Sequence, residues 1–573
     1  MNRIRLFTRC IVVFLLVVNI NMAQSSESAN CSSTIYRFIE GQDSQPTVMA
    51  PEEKTKELND VFAKSILCSG LPAASLKQIT THLDNPSHDF VKKQYVVAEG
   101  GQIPVSTAIP SSASLRNMRY TVSWADVHGT PMVFGSSSPP SDNTSNFLQV
   151  IAFDESKQRF NFYERFDYPR TDYFWAGDSS WARKKKTIGV GCFDCHHNGV
   201  PIMKELKIPW NNWSSERANI TNSIVSLKIQ NDPPFKNRIG AQELEPTIKG
   251  ASSKYYPNFI RSHINDNFTQ ITNVSELLRF VIETTTVNLE STNPLPGNAN
   301  TFAFPKDFWI ADSILRGPLI GLDYNIPQGL MFSVDNYKKF LKTTDSRLVQ
   351  CSLKGATKSA CVEPPQFTVL GSTHFAGFTP VLGNEDVLMS NLLIRVGIER
   401  KLLKLISPKF ITAILMVDFQ NPIFSQKRNS LIQYAKAVGT ATIANNSSNM
   451  ASLVASKITT ASSQQEKCND ITLDTCTAEQ QFLFVWEDAN WKANTEKRIN
   501  AYFQAIDKNI SCTTESCTGQ DEYLKLLVSQ HRQMAATTPL GNLVEFSLLF
   551  PFSSLPISPF LRMNVVGKVV ASD

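Results

Sequence analysis

The chain has 573 residues, of which 42% are hydrophobic and 19% charged, enough for two to four domains with real cores and too apolar for a disordered chain. A formal charge of +5 is mild for this length and gives no support to nucleic-acid binding, which usually needs a clustered basic face, so no nucleic-acid partner is expected.

Arg3, Arg5 and Arg9 precede the apolar run Cys10–Ile20, and small polar residues follow. This is the layout of a secretory signal peptide over 1–23, cut after Ala23, with an uncleaved anchor as the alternative. The other strongly apolar stretch, Leu543–Leu561, is interrupted by Pro551, Pro556 and Pro559 and reads as a buried or interfacial segment. The expectation is an exported protein, periplasmic or secreted, with no stable membrane span once the signal is removed.

Residues 24–93 read as an N-terminal helical segment, with Val61, Phe62, Ile66 and Leu67 at helical spacing. From about Gln94 the period changes to two. Tyr120–Trp124, Phe147–Phe153 and Arg159–Phe166 alternate, the last two joined by the polar loop Asp154-Glu-Ser-Lys-Gln, and the aromatic stretch Tyr173–Trp175 follows. Residues 94–190 are therefore expected to form an antiparallel, β-rich domain with an aromatic face. Beyond it the pattern turns helical, with helices expected at about 273–290, 385–406, 478–506 and 521–535, and with Asn445–Ser456 and Thr459–Gln465 as linkers. The fold class is α+β: a β-rich front half and a mostly helical rear half, the latter divided into 191–345 and 346–573.

Eight cysteines form local pairs: Cys31 with Cys68, Cys351 with Cys361, Cys468 with Cys476, and Cys512 with Cys517. In an oxidising compartment each pair is expected to be a disulfide. That leaves Cys192 and Cys195, in the stretch GVGCFDCHHNGV between Gly189 and Val200.

Three chemistries use such a pair with a histidine alongside. Structural zinc needs four ligands, and here one pair stands beside two adjacent histidines, His196 and His197. A thioredoxin-like dithiol sits in a βαβ unit, whereas the upstream hairpins indicate an antiparallel sheet. Covalent haem accounts for each part: Cys192 and Cys195 as thioether anchors and His196 as the proximal iron ligand, one haem c per chain. The distal ligand is left open, with His128, His263, His374, Met118 and Met132 as candidates. Met203 lies too close behind His196, and His197 is excluded by adjacency. Trp210 and Trp213 read as core, and Arg183–Lys186 as a solvated loop.

The pentapeptide Cys192-Phe-Asp-Cys195-His196 resembles the attachment motif of c-type cytochromes. More widely, FNFYERF, GCFDCHHNG, IMKELKIPWNNW and VDFQNPIFSQKR (Val417–Arg428) resemble segments of a group of exported bacterial proteins without an assigned activity. The likeness covers about half the chain and implies a haem-bearing exported protein, but no substrate. A β-sheet ending in the haem motif is also similar in architecture to cytochrome P460-type β domains. The expected function is haem binding and electron transfer with a redox partner protein. The alternatives are a haem enzyme, peroxidase- or oxygenase-like, with an open iron position for a small-molecule substrate, or an interaction protein whose motif is vestigial. Length beyond a single haem domain favours an added role, and no G-x-S-x-G, H-E-x-x-H or P-loop names a catalytic residue.

Overall fold

The structure is a computed structural model that describes residues 31–70, 75–85, 89–97, 119–137, 148–165, 172–201, 213–214, 227–239, 243–291, 300–343, 347–348, 350–351, 361–362, 367–369, 372–374, 378–463, 467–470, 473–511, 519–537, 551–552 and 559–572. The class is α+β. The front half is built on a nine-stranded sheet: β1 (Ile35–Arg37), β2 (Thr47–Val48), β3 (Val91–Val97), β4 (Arg119–Ala125), β5 (Pro131–Ser137), β6 (Leu148–Asp154), β7 (Arg159–Arg165), β8 (Tyr173–Asp178) and β9 (Trp213–Ser214). They lie in the order β2-β1-β8-β7-β6-β5-β4-β3-β9. Neighbours are antiparallel throughout except that β1 runs parallel to β8.

The β6–β7 hairpin closes as the sequence predicts. Asp154 Oδ1 accepts the backbone N–H of Ser156 at 2.8 Å and of Lys157 at 3.1 Å, and Gln158 takes φ 55°. An Asp side chain that satisfies two backbone donors ahead is what lets a short polar loop reverse the chain.

Both faces of the sheet are covered, so successive residues of a strand enter different cores. On β7, Phe160 and Phe162 join the core shared with the rear half, while Tyr163 joins the core under the N-terminal helices. Those helices are α1 (Pro51–Glu57) and α2 (Leu76–Leu83), with a π-helical turn at Ala63–Leu67 between them. The disulfide Cys31–Cys68 ties this layer together. The N-terminal segment is thus not helical throughout: β1 and β2 precede α1, and β3 begins at Val91, three residues before the expected change of period.

The rear half buries its own helices around α5 (Val274–Ile282), with α4 (Leu244–Ser262) between it and the sheet and α6 (Asn384–Ile394) beside it. Helix α4 meets the sheet through Tyr255 against Phe160, rings 6.1 Å apart, and Tyr95 Oη at 3.2 Å from Thr247 Oγ1.

Several expected helices are shorter than their apolar pattern. The one predicted at 273–290 stops at Ile282, and Val287–Ser291 becomes strand β10, paired with β11 (Phe378–Leu382). The one predicted at 385–406 stops at Ile394, followed by a hairpin of Val396–Ile398 with Lys401–Leu403, turned by Glu399 and Arg400 at φ 47° and 66°. The one predicted at 478–506 is two helices, α8 (Ala478–Trp486) and α9 (Trp491–Ser511), and the last is α10 (Gln520–Thr537). The Ser/Thr-rich linkers are instead mostly helix α7 (Met450–Ser462), which buries Val454, Ala455 and Ile458.

Cys468 and Cys476 form a disulfide just before α8. Cys351 and Cys361 stand opposite each other in a short antiparallel pair. Their side chains, and Cys512 and Cys517 altogether, lie outside the described residues, as do residues 1–30. No helix among the described residues is long and apolar enough to cross a membrane.

Candidate haem-attachment segment

The segment leaves β8 through a single 3-10 turn, Ser179–Trp181, and reaches the short helix α3 (Cys192–Cys195) by way of two left-handed glycines, Gly189 at φ 71° and Gly191 at φ 57°. The positive φ of Gly191 favours glycine there, and a Cβ at this position would lie 2.9 Å from a carboxylate oxygen of Glu40. After α3 the chain is pinned a second time. Ser179 Oγ donates to the carbonyl of Gly199 at 2.6 Å and accepts the Phe160 N–H at 2.9 Å, which fastens residues 196–200 to the start of β7.

The segment therefore rests on the rear face of β7. Phe193 is 1% exposed and meets Phe162 edge-on at 5.3 Å, while the imidazole of His196 lies 5.5 Å from the same ring. Cys192 is half-buried. Its side chain hydrogen-bonds to Glu164, a carboxyl held above its ordinary range by burial against the opposing bonds from Gln149 and Cys192. The backbone is helical from Cys192 to Cys195, so the two positions are one turn apart, and His196 caps that turn. The side chain of Cys195 lies outside the described residues.

His196 Nδ1 is 2.9 Å from the carbonyl oxygen of Val200. A carbonyl can only accept, so Nδ1 carries the proton and the lone pair is on Nε2. A ring oriented through Nδ1–H to a backbone carbonyl is the arrangement that makes a histidine a metal ligand through Nε2. The donor set, two cysteine positions one turn apart and an oriented imidazole next in sequence, fits a covalently held haem. Among the described residues no three His, Cys, Asp or Glu side chains gather into a metal cage.

The distal candidates are dispersed. His128 is exposed in the β4–β5 turn, and His263 sits at the end of α4, its Nδ1 2.8 Å from Phe259 O. Met132 is buried on β5, its sulfur 3.7 Å from Lys254 Nζ. Met118 and Met203 lie outside the described residues, as do the side chains of His374 and Trp213 and all of Trp210. His197 is half-buried beside His196. In the basic run, Lys184–Lys186 are exposed, and Lys184 Nζ sits 3.1 Å above the centre of the Trp181 ring.

Sequence reasoning missed what lies directly behind the segment. Asn198, two residues after His196, is buried and accepts from Arg279 Nη2 at 2.7 Å, while its Nδ2 donates to Thr285 Oγ1 at 3.3 Å. Thr285 donates to Asp386, and Thr286 Oγ1 donates to Glu385 Oε2 at 3.2 Å. Glu385 and Asp386 begin helix α6 and are 2% and 1% exposed. Gly383 permits this approach, since a Cβ there would stand 1.8 Å from Thr286 Oγ1. Burial, then the neighbouring Asp386 charge, raises Glu385 to about 8, and burial raises Asp386 to about 7 against the Thr285 bond and the Arg279 charge. Burial also lowers Arg279 to about 10. A signal was present: Arg279 interrupts Leu277-Leu278 and Phe280-Val281-Ile282, and an arginine inside an apolar run is rarely buried without acidic partners.

Comparison of the chain with protein families, with curated proteins and with solved structures finds no match.

Proposed function

We propose that this chain is an exported, monohaem c-type cytochrome-like protein that transfers electrons, with Cys192 and Cys195 as thioether anchors and His196 as the proximal iron ligand. The bond from His196 Nδ1 to Val200 O carries this reading, because it presents Nε2 as the ligating atom directly after the second cysteine. The bound group would supply one-electron exchange at the iron. The chain's part is to orient the imidazole, to hold residues 196–200 rigidly through Ser179, and to exclude water from one side with Phe162 and Phe193. The disulfides Cys31–Cys68 and Cys468–Cys476 support an oxidising compartment, and the partner is a redox protein.

The test is a denaturing gel stained for haem peroxidase activity, run on protein made in a host equipped for cytochrome c maturation. Thioether-bound haem stays with the unfolded chain, so a stained band that disappears in Cys192→Ala/Cys195→Ala is expected. A colourless wild-type band rejects the assignment.

A further inference from the structure

The acid pair of α6 is enclosed except on one side. Glu385 forms part of the floor of a cleft of ≈ 270 Å³ between α4 and α6, bordered by Lys249, Ser252 and Asn391. On the opposite side the pair connects through Thr285 and Asn198 to the turn that follows His196. Two polar groups next to it have no hydrogen-bond partner although buried: Tyr256 Oη, which feels the charges of Glu385, Arg279 and Asp386, and Arg279 Nη1. Two adjacent carboxyls facing one main cation, with further donors in reserve, form a group that takes up or releases a single proton at little structural cost.

We propose that Glu385 and Asp386 form a proton-binding site, loaded from the cleft when an electron enters the group held by Cys192, Cys195 and His196; this rests on the haem reading above. The balance is one electron from a one-electron donor to the iron and one proton from bulk water to a carboxylate oxygen of the pair. Reduction removes a positive charge from the Cys192–His196 side, and the low dielectric between leaves that change poorly screened. The groups around the pair are Arg279 of α5, itself paired with Glu276; Tyr256 of α4; Lys249 of α4, bridged to Glu245 at the cleft; and Arg428, which is itself drawn to Asp418 and Asp386. The charge of Arg183, at the start of the basic run, also acts on Arg279.

The experiment uses the full chain with covalent haem, its midpoint potential measured from pH 5 to 9. The potential is expected to fall as pH rises across the neutral range, towards ~59 mV per unit for one proton per electron, and to flatten in Glu385→Gln and in Asp386→Asn. A second reading, needed if those variants do not fold, follows a pH indicator in unbuffered wild-type protein during reduction by the methyl viologen radical, whose oxidation releases no proton, and proton uptake is expected near pH 7. A pH-independent potential, a slope unchanged in both folded variants, or reduction without proton uptake overturns the proposal and leaves the haem assignment standing. Absence of covalent haem from the matured protein overturns both.

Discussion

His196 and Val200 are joined across four residues by the bond from Nδ1 to the backbone carbonyl, and Asn198 and Gly199 between them are buried against Arg279 and Ser179. The imidazole of His196 is thus held by a loop whose other residues are tied to the sheet on one side and to α5 on the other. For His196→Ala we expect haem still attached covalently but with an altered optical spectrum, because the thioethers and the axial bond are separate links. A variant spectrum identical to wild type would show that another residue is the proximal ligand.

Among the described candidates, His128 is exposed on a hairpin, His263 is turned into its own helix, and Met132 is packed beside Lys254, so on these residues the distal position is expected to be vacant or weakly filled. Carbon monoxide added to the ferrous protein should shift the Soret band at once, and a large shift would favour the haem-enzyme alternative over electron transfer alone. Indifference to carbon monoxide would identify a strong sixth ligand and weigh against the haem-enzyme alternative.

Asp60 provides a test of the front half. Its carboxyl, 1% exposed, accepts from Tyr163 Oη, from Asn161 Nδ2 at 2.8 Å and from the Ala63 N–H at 2.9 Å, joining the π-helical turn to β7. Asp60→Ala leaves three buried donors without their acceptor, and at roughly 1–3 kcal/mol per group about 3 kcal/mol of stability or more should be lost. Burial raises Asp60 to about 6, above the unfolded value, so the protonated form is favoured on folding. The Asp60 contribution is therefore greatest below pH 4, declines between about 4 and 6, and is flat above. Urea unfolding of wild type and variant across this range measures both effects, and a variant as stable as wild type would remove Asp60 from the join.

The two disulfides close loops of unequal length, with sequence separations of 37 and 8 residues. Chain-entropy reasoning assigns about 4 kcal/mol to the first and about 2.5 kcal/mol to the second. Cys31→Ser/Cys68→Ser should lower the unfolding midpoint more than Cys468→Ser/Cys476→Ser. All four thiols should resist alkylation until reduced, and mass spectrometry that found them modified in the native protein would contradict the pairing.

The sheet was legible because its strands alternate and its hairpin loops are polar, so each strand is specified by neighbours close in sequence. The ends of the rear helices were not. Thr284-Thr285-Thr286 follows α5 in a helical apolar rhythm, yet β10 forms because a partner strand some ninety residues later offers it a ladder. Glu399-Arg400 looks like a helix surface pair but adopts the two left-handed residues of a tight turn. Helix α7 was hidden by its small polar residues, which face water while Val454 and Ile458 bury the opposite side. At the candidate site, Cys192, Cys195 and His196 stand out because their spacing is the chemistry. Asn198, Arg279, Glu385 and Asp386 come from three separate stretches that only the folded chain brings together, and Gly383 gains its meaning from the threonine pressed against it.

The parallel pairing of β1 with β8 makes completion of the front sheet depend on a contact between distant parts of the chain. Ile35–Arg37 can pair early with the nearby β2, but it joins the main sheet only once Tyr173–Trp175 is in position, so the first described strand depends on the last strand before the Cys192 segment. Such a distant contact is slow to close. During that wait the disulfide to Cys68 keeps the waiting strand next to the turn that will cover it. Completion of the sheet and docking of Phe193 onto Phe162 then become consecutive events, and a chain interrupted before β8 would expose an aromatic sheet edge at the place where aggregation begins.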